Sequence, residues 1–232
     1  MAITRRQFLA ATPVVAVGAG AVTGLAQSGS WLKGIDVSKW QATIAWPGVK
    51  NAGNIFAFCK ATDGDTGDDP YFTTNWPAMK SAGLLRGAYH YGRPAKDAVA
   101  QADQFVKRVK PSRGDLPLVL DLENTGGKTK AQVWNWTQAF VNRIKAKVGR
   151  PPIIYTGFYF WRDSVGNPNN NLGCPLWLAA YSASTSGLVP PAWGAWKFWQ
   201  YTDKGTVAGV TGPVDRDYFN GSLAQLRSLT LP

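Results

Sequence analysis

The chain has 232 residues, 45% of them apolar and 12% aromatic, which suits one sizeable core and excludes a disordered polymer. Its formal charge of +11 favours anionic partners, namely nucleic acid, membrane surfaces or the acidic polymers of a bacterial wall. No RNA-binding motif or long Lys/Arg run points to nucleic acid, and two cysteines with a single histidine exclude a disulfide scaffold and an ordinary zinc site.

The first stretch, "MAITRRQFLAATPVVAVGAGAVTGLAQSGS", reads as an export signal. Arg5 and Arg6 form a pair, a Gly- and Ala-rich apolar run too broken to span a membrane follows from Phe8, and Gly24 and Ala26 supply small residues for cleavage before Gln27. "TRRQFLA" is similar to the twin-arginine signal of bacteria. The expectation is a leader over 1–26 and a single domain over 27–232, released as a monomer without membrane insertion to the periplasm or beyond. Loss of two arginines and no acid would lower the charge from +11 to +9. For an exported basic protein, the wall is then the favoured partner.

Along the rest of the chain, apolar runs recur in the order "KGIDVSKW", "IFAFCKATDG", "LLRGAYHYGRP", "LPLVLDLEN", "RPPIIYTG", "PLWLAAYS", "WKFWQYT" and "GPVDRDYF". Within "IFAFCKATDG", Cys59 reads as a small buried hydrophobe, and it forms one bridge with Cys174 or none. "KDAVAQADQFVKRVK" sets Ala98, Ala102, Phe105, Val106 and Val109 on one helical face behind an Asp97 cap. Thr129 to Gly149 repeats the spacing with Val133, Thr137, Phe140, Val141 and Ile144. Strands alternating with helices predict an α/β fold of parallel strands joined by right-handed crossovers. "NPNNNLGCP" and "GLVPPAWGA" read as loops, so the expected fold is a single irregular (β/α) barrel, TIM-like, with about eight strands and several helices missing.

In such a barrel the reactive groups sit where strands end. Asp36, Lys60, Asp63, Tyr89, His90, Tyr91, Asp121, Glu123, Tyr155, Tyr181, Trp199, Gln200, Tyr201, Asp215 and Asp217 all close apolar runs. Asp121 and Glu123 at i and i+2 point to one side of a strand, with Cα atoms ~6.6 Å apart. Two acids that close resist joint ionisation, and a protonated acid beside a carboxylate suits cleavage of a glycosidic bond. Trp and Tyr at strand ends can stack on sugar rings, although Trp134 and Trp136 fall on a helix and read as packing residues. "NTGGKT" lacks the first glycine of a phosphate loop, there is no G-x-S-x-G elbow, and a serine triad would have to use His90, which in this setting is more often a structural hydrogen-bonding residue.

"GIDVSKWQ", "FCKATDG", "RGAYHYGRP", "LVLDLE", "IIYTG", "LWLAAY", "FWQYT" and "VDRDYFNG", in this order, resemble glycoside hydrolase family 25, the Chalaropsis-type lysozymes. The resemblance runs from Gly34 to Leu226. It implies a modified β/α barrel, without cofactor or metal, that hydrolyses the β-1,4 bond between N-acetylmuramic acid and N-acetylglucosamine in peptidoglycan. It also implies an acidic quartet of Asp36, Asp121, Glu123 and Asp215. Glu123 would be the general acid, and Asp121 would orient the substrate's 2-acetamido group as nucleophile in a retaining route. Asp36 and Asp215 would tune the charge of the pair. Two positions depart from the family pattern: Asp63 stands where Glu is frequent and Asp217 where Asn is. The alternatives are a hydrolase of chitin-like N-acetylglucosamine polymers, which the same chemistry would serve, and a wall-binding module without activity, against which the acid pair argues.

Overall fold

A computed structural model describes residues 31–232, so the expected leader and its cleavage site lie outside the described residues. Nine strands form one sheet: β1 (Leu32–Val37), β2 (Phe56–Asp63), β3 (Gly67–Asp68), β4 (Leu85–Tyr91), β5 (Val119–Asp121), β6 (Ile153–Gly157), β7 (Leu176–Ala179), β8 (Phe198–Gly205) and β9 (Val214–Phe219). Pairing of β1 with β2 closes the sheet into a barrel, and β3 is a two-residue hairpin partner at the end of β2. The strands from β1 to β8 around the barrel are parallel, as expected. β9 is not: it runs antiparallel to both β8 and β1. The chain between β8 and β9 is too short for a crossover helix and turns back as a hairpin instead.

Helices α1 (Trp46–Asn51), α2 (Phe72–Ser81), α3 (Ala98–Val109) and α4 (Lys130–Val148) follow the early strands. α5 (Phe158–Phe160) runs into a π-helical turn, Trp161–Val165, and α6 (Leu223–Ser228) closes the chain. The caps explain where the two long helices begin. Asp97 Oδ1 accepts from the backbone N–H of Ala100 at 2.7 Å, and Thr129 with Gln132 forms a reciprocal capping box. α4 stops at Gly149, whose φ of 77° is the left-handed conformation a glycine adopts without strain. Thus "NTGGKT" leads into a helix cap.

Side-chain alternation divides the core in two. Facing outward, Ile35, Ala57, Cys59, Ala88, Leu118, Leu120 and Ile154 pack under the helices. Facing inward, Phe56, Phe58, Val119, Trp177, Phe198 and Phe219 fill the barrel, with Leu226 of α6 joining them. Phe58 stacks on Trp177 at 4.5 Å between ring centroids, and Phe198 meets Phe219 at 5.0 Å. Each buried ring contributes about 2 kcal/mol by area. Room for two of them comes from glycine: a Cβ on Gly34 would lie 2.3 Å from the Phe56 ring, and one on Gly87 2.3 Å from that of Phe58.

No helix links β7 to β8 or β8 to β9. An aromatic cluster does the covering there: Trp31, Trp196, Trp199 and Tyr218 pack edge-on and tilted, and Tyr201 stacks on Tyr218 at 4.3 Å. Large flat side chains bury the outer face of strands that helices leave uncovered. Cys59 and Cys174 are both buried free thiols. Burial raises the titration point of both, that of Cys174 to about 12, which keeps them protonated and inert.

Candidate active site

The short strand β5 ends on Asp121, which is fully buried, and its backbone carbonyl accepts from Gly92 at 2.9 Å. The next residue, Leu122, donates its N–H to the Tyr155 carbonyl at 2.9 Å and packs in the outer layer. Alternation therefore continues one residue past the strand, and Glu123, half-buried, returns to the side of Asp121. The charges of both act on the Tyr91 hydroxyl, which also hydrogen-bonds to Asn124. Burial, then Glu123 and Asp121, raise the Tyr91 titration well above its ordinary value, so Tyr91 stays a neutral donor.

Across the barrel, Gln200 gathers three partners. Its Oε1 accepts the hydroxyls of Tyr155 at 2.7 Å and Tyr181 at 2.8 Å, while Nε2 donates to Asp36 Oδ2. Asp36 and Asp215 are register partners on β1 and β9, and Gln200 is the partner of Asp217 on β8 and β9. Asp217 in turn accepts the Trp177 indole N–H at 2.9 Å, which ties the rim to the packed interior.

On the other side, two cations approach the Tyr91 ring, Arg93 at 4.4 Å and Lys60 at 4.8 Å from its centroid. Asp63 holds both: Arg93 Nε donates to Oδ1 at 2.7 Å and Nη2 to Oδ2 at 3.3 Å, and Lys60 Nζ donates to Oδ2 at 2.7 Å. Burial would raise the Asp63 titration, but Arg93 and Lys60 outweigh it and the net effect is a lowering. Asp63 therefore stays an anion.

The structure thus brings Asp36, Lys60, Asp63, Tyr91, Asp121, Glu123, Tyr155, Tyr181, Gln200, Asp215 and Asp217 to one mouth, at the carboxyl ends of the parallel strands. Tyr89 lies deeper, in the apolar interior. Trp199 and Tyr201 face outward into the aromatic cover, where the Trp199 indole donates to the Ala180 carbonyl at 2.7 Å.

His90 also faces outward. It is fully buried, stacked on Phe140 at 5.1 Å. Gln101 Oε1, which already accepts the Arg93 N–H at 3.0 Å, can only accept from His90 Nε2. Nδ1 then accepts the Thr62 hydroxyl at 2.8 Å, which fixes a neutral Nε2–H tautomer. Burial lowers its titration to about 4. A strand turns neighbours to opposite sides, which is why His90 and Tyr91 part company.

Three residues just past strand ends were not singled out from the sequence. Arg93 sits two positions past the end of β4, where its guanidinium faces Tyr91. Trp40, 61% exposed, follows β1, and Tyr159, 47% exposed, follows β6. A cation or aromatic just after a strand end was the available signal.

Among the described residues, no group of His, Cys, Asp and Glu has the arrangement of a metal site, and no helix is long and apolar enough to cross a membrane.

The sequence model of the glycosyl hydrolases family 25 matches residues 35–210. The chain belongs to that family. Among its relatives, Lysozyme M1 of Streptomyces globisporus is 40% identical over 211 residues, covering 86% of this chain and 71% of that one. The N,O-diacetylmuramidase of Chalaropsis sp is 32% identical over 212 residues, 85% of this chain and 98% of that one. In three dimensions the chain is similar to the crystal structure of the lysozyme from Streptomyces coelicolor, with a TM-score of 0.82 and 40% identity, over 87% of this chain and 97% of that one. The irregular barrel is the family 25 fold.

Proposed function

We propose that this family 25 enzyme is an exported lysozyme that cleaves the β-1,4 bond between N-acetylmuramic acid and N-acetylglucosamine in peptidoglycan. The observation that carries the reading is the placement of buried Asp121 and half-buried Glu123 on one side of the same strand end, both acting on the Tyr91 hydroxyl. In this account Glu123, the more exposed of the two, donates its proton to the leaving glycosidic oxygen. Asp121, kept from water, orients the substrate's 2-acetamido group and stabilises the positive charge it gains when its oxygen attacks the anomeric carbon. Water then opens the intermediate with Glu123 as base, and configuration is retained. Asp36, held by Gln200, and Asp215 beside it set the field around the pair. Export by the twin-arginine route, from Arg5 and Arg6, belongs to the same proposal.

The names of the relatives support this choice of substrate over chitin-like polymers. The test is mass spectrometry of borohydride-reduced products from purified peptidoglycan. New reduced muramic-acid ends are expected; reduced N-acetylglucosamine ends would refute the bond assignment.

A further inference from the structure

The chain has 14 acidic residues, and their distribution is lopsided. All but two lie on the mouth half, in the strand ends or in the segments that leave them. The exceptions are both neutralised: Asp103 holds Arg143 at 2.7 and 2.8 Å, and Asp115 holds buried Arg86 at 2.7 and 3.3 Å. The opposite end of the barrel, where the parallel strands begin, is left with cations.

That end carries a groove of 270 Å³. Lys50 from the end of α1, Lys80 from the end of α2 and Arg227 from α6 line it, and the Arg86–Asp115 pair also lines it. None of the three outer cations makes an ion pair with a described acid. Three positive charges from three separate elements converge on one concavity whose lining has no unneutralised acidic side chain. Outside the groove, Lys33, Arg113 and Lys197 precede or open β1, β5 and β8, so the end where the strands begin carries further cations.

We propose that this basal groove is a phosphate site for a linear phosphodiester polymer, bound on the end of the barrel opposite the catalytic mouth. Lysine ammoniums and an arginine fork are the donors that suit phosphate oxygens. The cations beyond the groove favour a chain of phosphates over a single ion. A lipid surface fits less well, because a membrane-seated face inserts apolar side chains and Leu223 is the single exposed large hydrophobic residue that lines the groove among those described. Bound this way, the polymer would hold the enzyme while the mouth stays open to glycan; that role rests on the function proposed above, whereas the binding does not.

The experiment measures binding of the full chain to poly(glycerol phosphate) across a salt series. The groove variant carries Lys50→Gln, Lys80→Gln and Arg227→Gln. A control with the same net charge carries Lys107→Gln, Lys128→Gln and Lys130→Gln, all exposed and none lining the groove. The groove variant should bind about tenfold more weakly, with a salt slope shallower by about 2, as loss of three phosphate contacts implies. The control should stay within about twofold of the wild type. Hydrolysis of soluble glycan fragments is read beside it and should be unchanged in the groove variant. Equal losses in the two variants, or no loss in the groove variant, would overturn the site. So would a wild type that binds anionic phospholipid vesicles but not the polymer. Absence of hydrolysis in every protein would strike the proposed function and leave the binding result standing.

Discussion

Nε2 of Gln200 donates to Oδ2 of Asp36 at 2.5 Å, joining residues 164 positions apart in the chain. The same amide accepts two tyrosine hydroxyls on its other end. With both ends engaged the amide cannot flip, so Asp36 always meets a donor. Gln200→Leu removes that donor and the acceptor of Tyr155 and Tyr181 together. The expected result is a fall in kcat/KM of roughly 10–100-fold, with a stability loss of about 1–3 kcal/mol in denaturant titration.

Arg93 acts on the other wall of the mouth. Its guanidinium covers the Tyr91 ring and is held by Asp63, yet its side chain is 43% exposed. Arg93→Ala should therefore leave the thermal midpoint nearly unchanged while lowering kcat/KM by about tenfold, as Tyr91 loses its fixed position near Asp121 and Glu123. Arg93→Lys should recover only part, because an ammonium cannot make the bidentate bond to Asp63. Steady-state kinetics on one soluble substrate separates these outcomes.

His90 sets a pH window for stability. Its titration is lowered to about 4 from 6.5, chiefly by burial. Between these values the unfolded chain binds a proton that the folded chain refuses, so stability is full above pH 6.5 and declines as pH falls towards about 4. The loss is on the order of 3 kcal/mol. Urea titrations from pH 7 to 4 should show this decline in the wild type and a shallower one in His90→Asn. Activity near pH 6.5 should show no limb due to His90, since it is remote from the mouth.

Much of this arrangement is legible in sequence because period and position carry it. The faces and caps of α3 and α4 follow from helical spacing, with Asp97, Thr129 and Gly149 marking their limits. The mouth acids could be read because each closes an apolar run. What escaped is whatever depends on which way a strand end turns. "AYHY" gives no sign of which residues of Tyr89, His90 and Tyr91 face in, since both sides of that strand are buried. The same ambiguity affects Trp199, Gln200 and Tyr201, of which only Gln200 reaches the mouth. The antiparallel β9 was hidden because its loop has glycine and proline but no two-residue turn signature. The aromatic cover over β7 to β9 depends on contacts between distant segments, which local patterns do not report.

The glycine that faces Phe58 gives a steric prediction. A methyl at residue 87 would overlap the ring at 2.3 Å, in a barrel interior already packed with aromatics. Gly87→Ala should destabilise by about 1–3 kcal/mol, measured by thermal or denaturant unfolding. Pairing it with Phe58→Leu should recover part of the loss, because the smaller side chain vacates the space.

The account turns on Glu123 as the proton donor, and a comparison of two substrates tests that most directly. One is peptidoglycan, whose sugar leaving group needs protonation; the other is an aryl glycoside of the same sugar, whose phenolate leaves without it. Glu123→Gln, folded as the wild type by circular dichroism, should lose at least about 10³-fold in rate on peptidoglycan. It should lose far less in the first bond-breaking step on the aryl glycoside. Equal rates of wild type and Glu123→Gln on peptidoglycan would contradict the assignment.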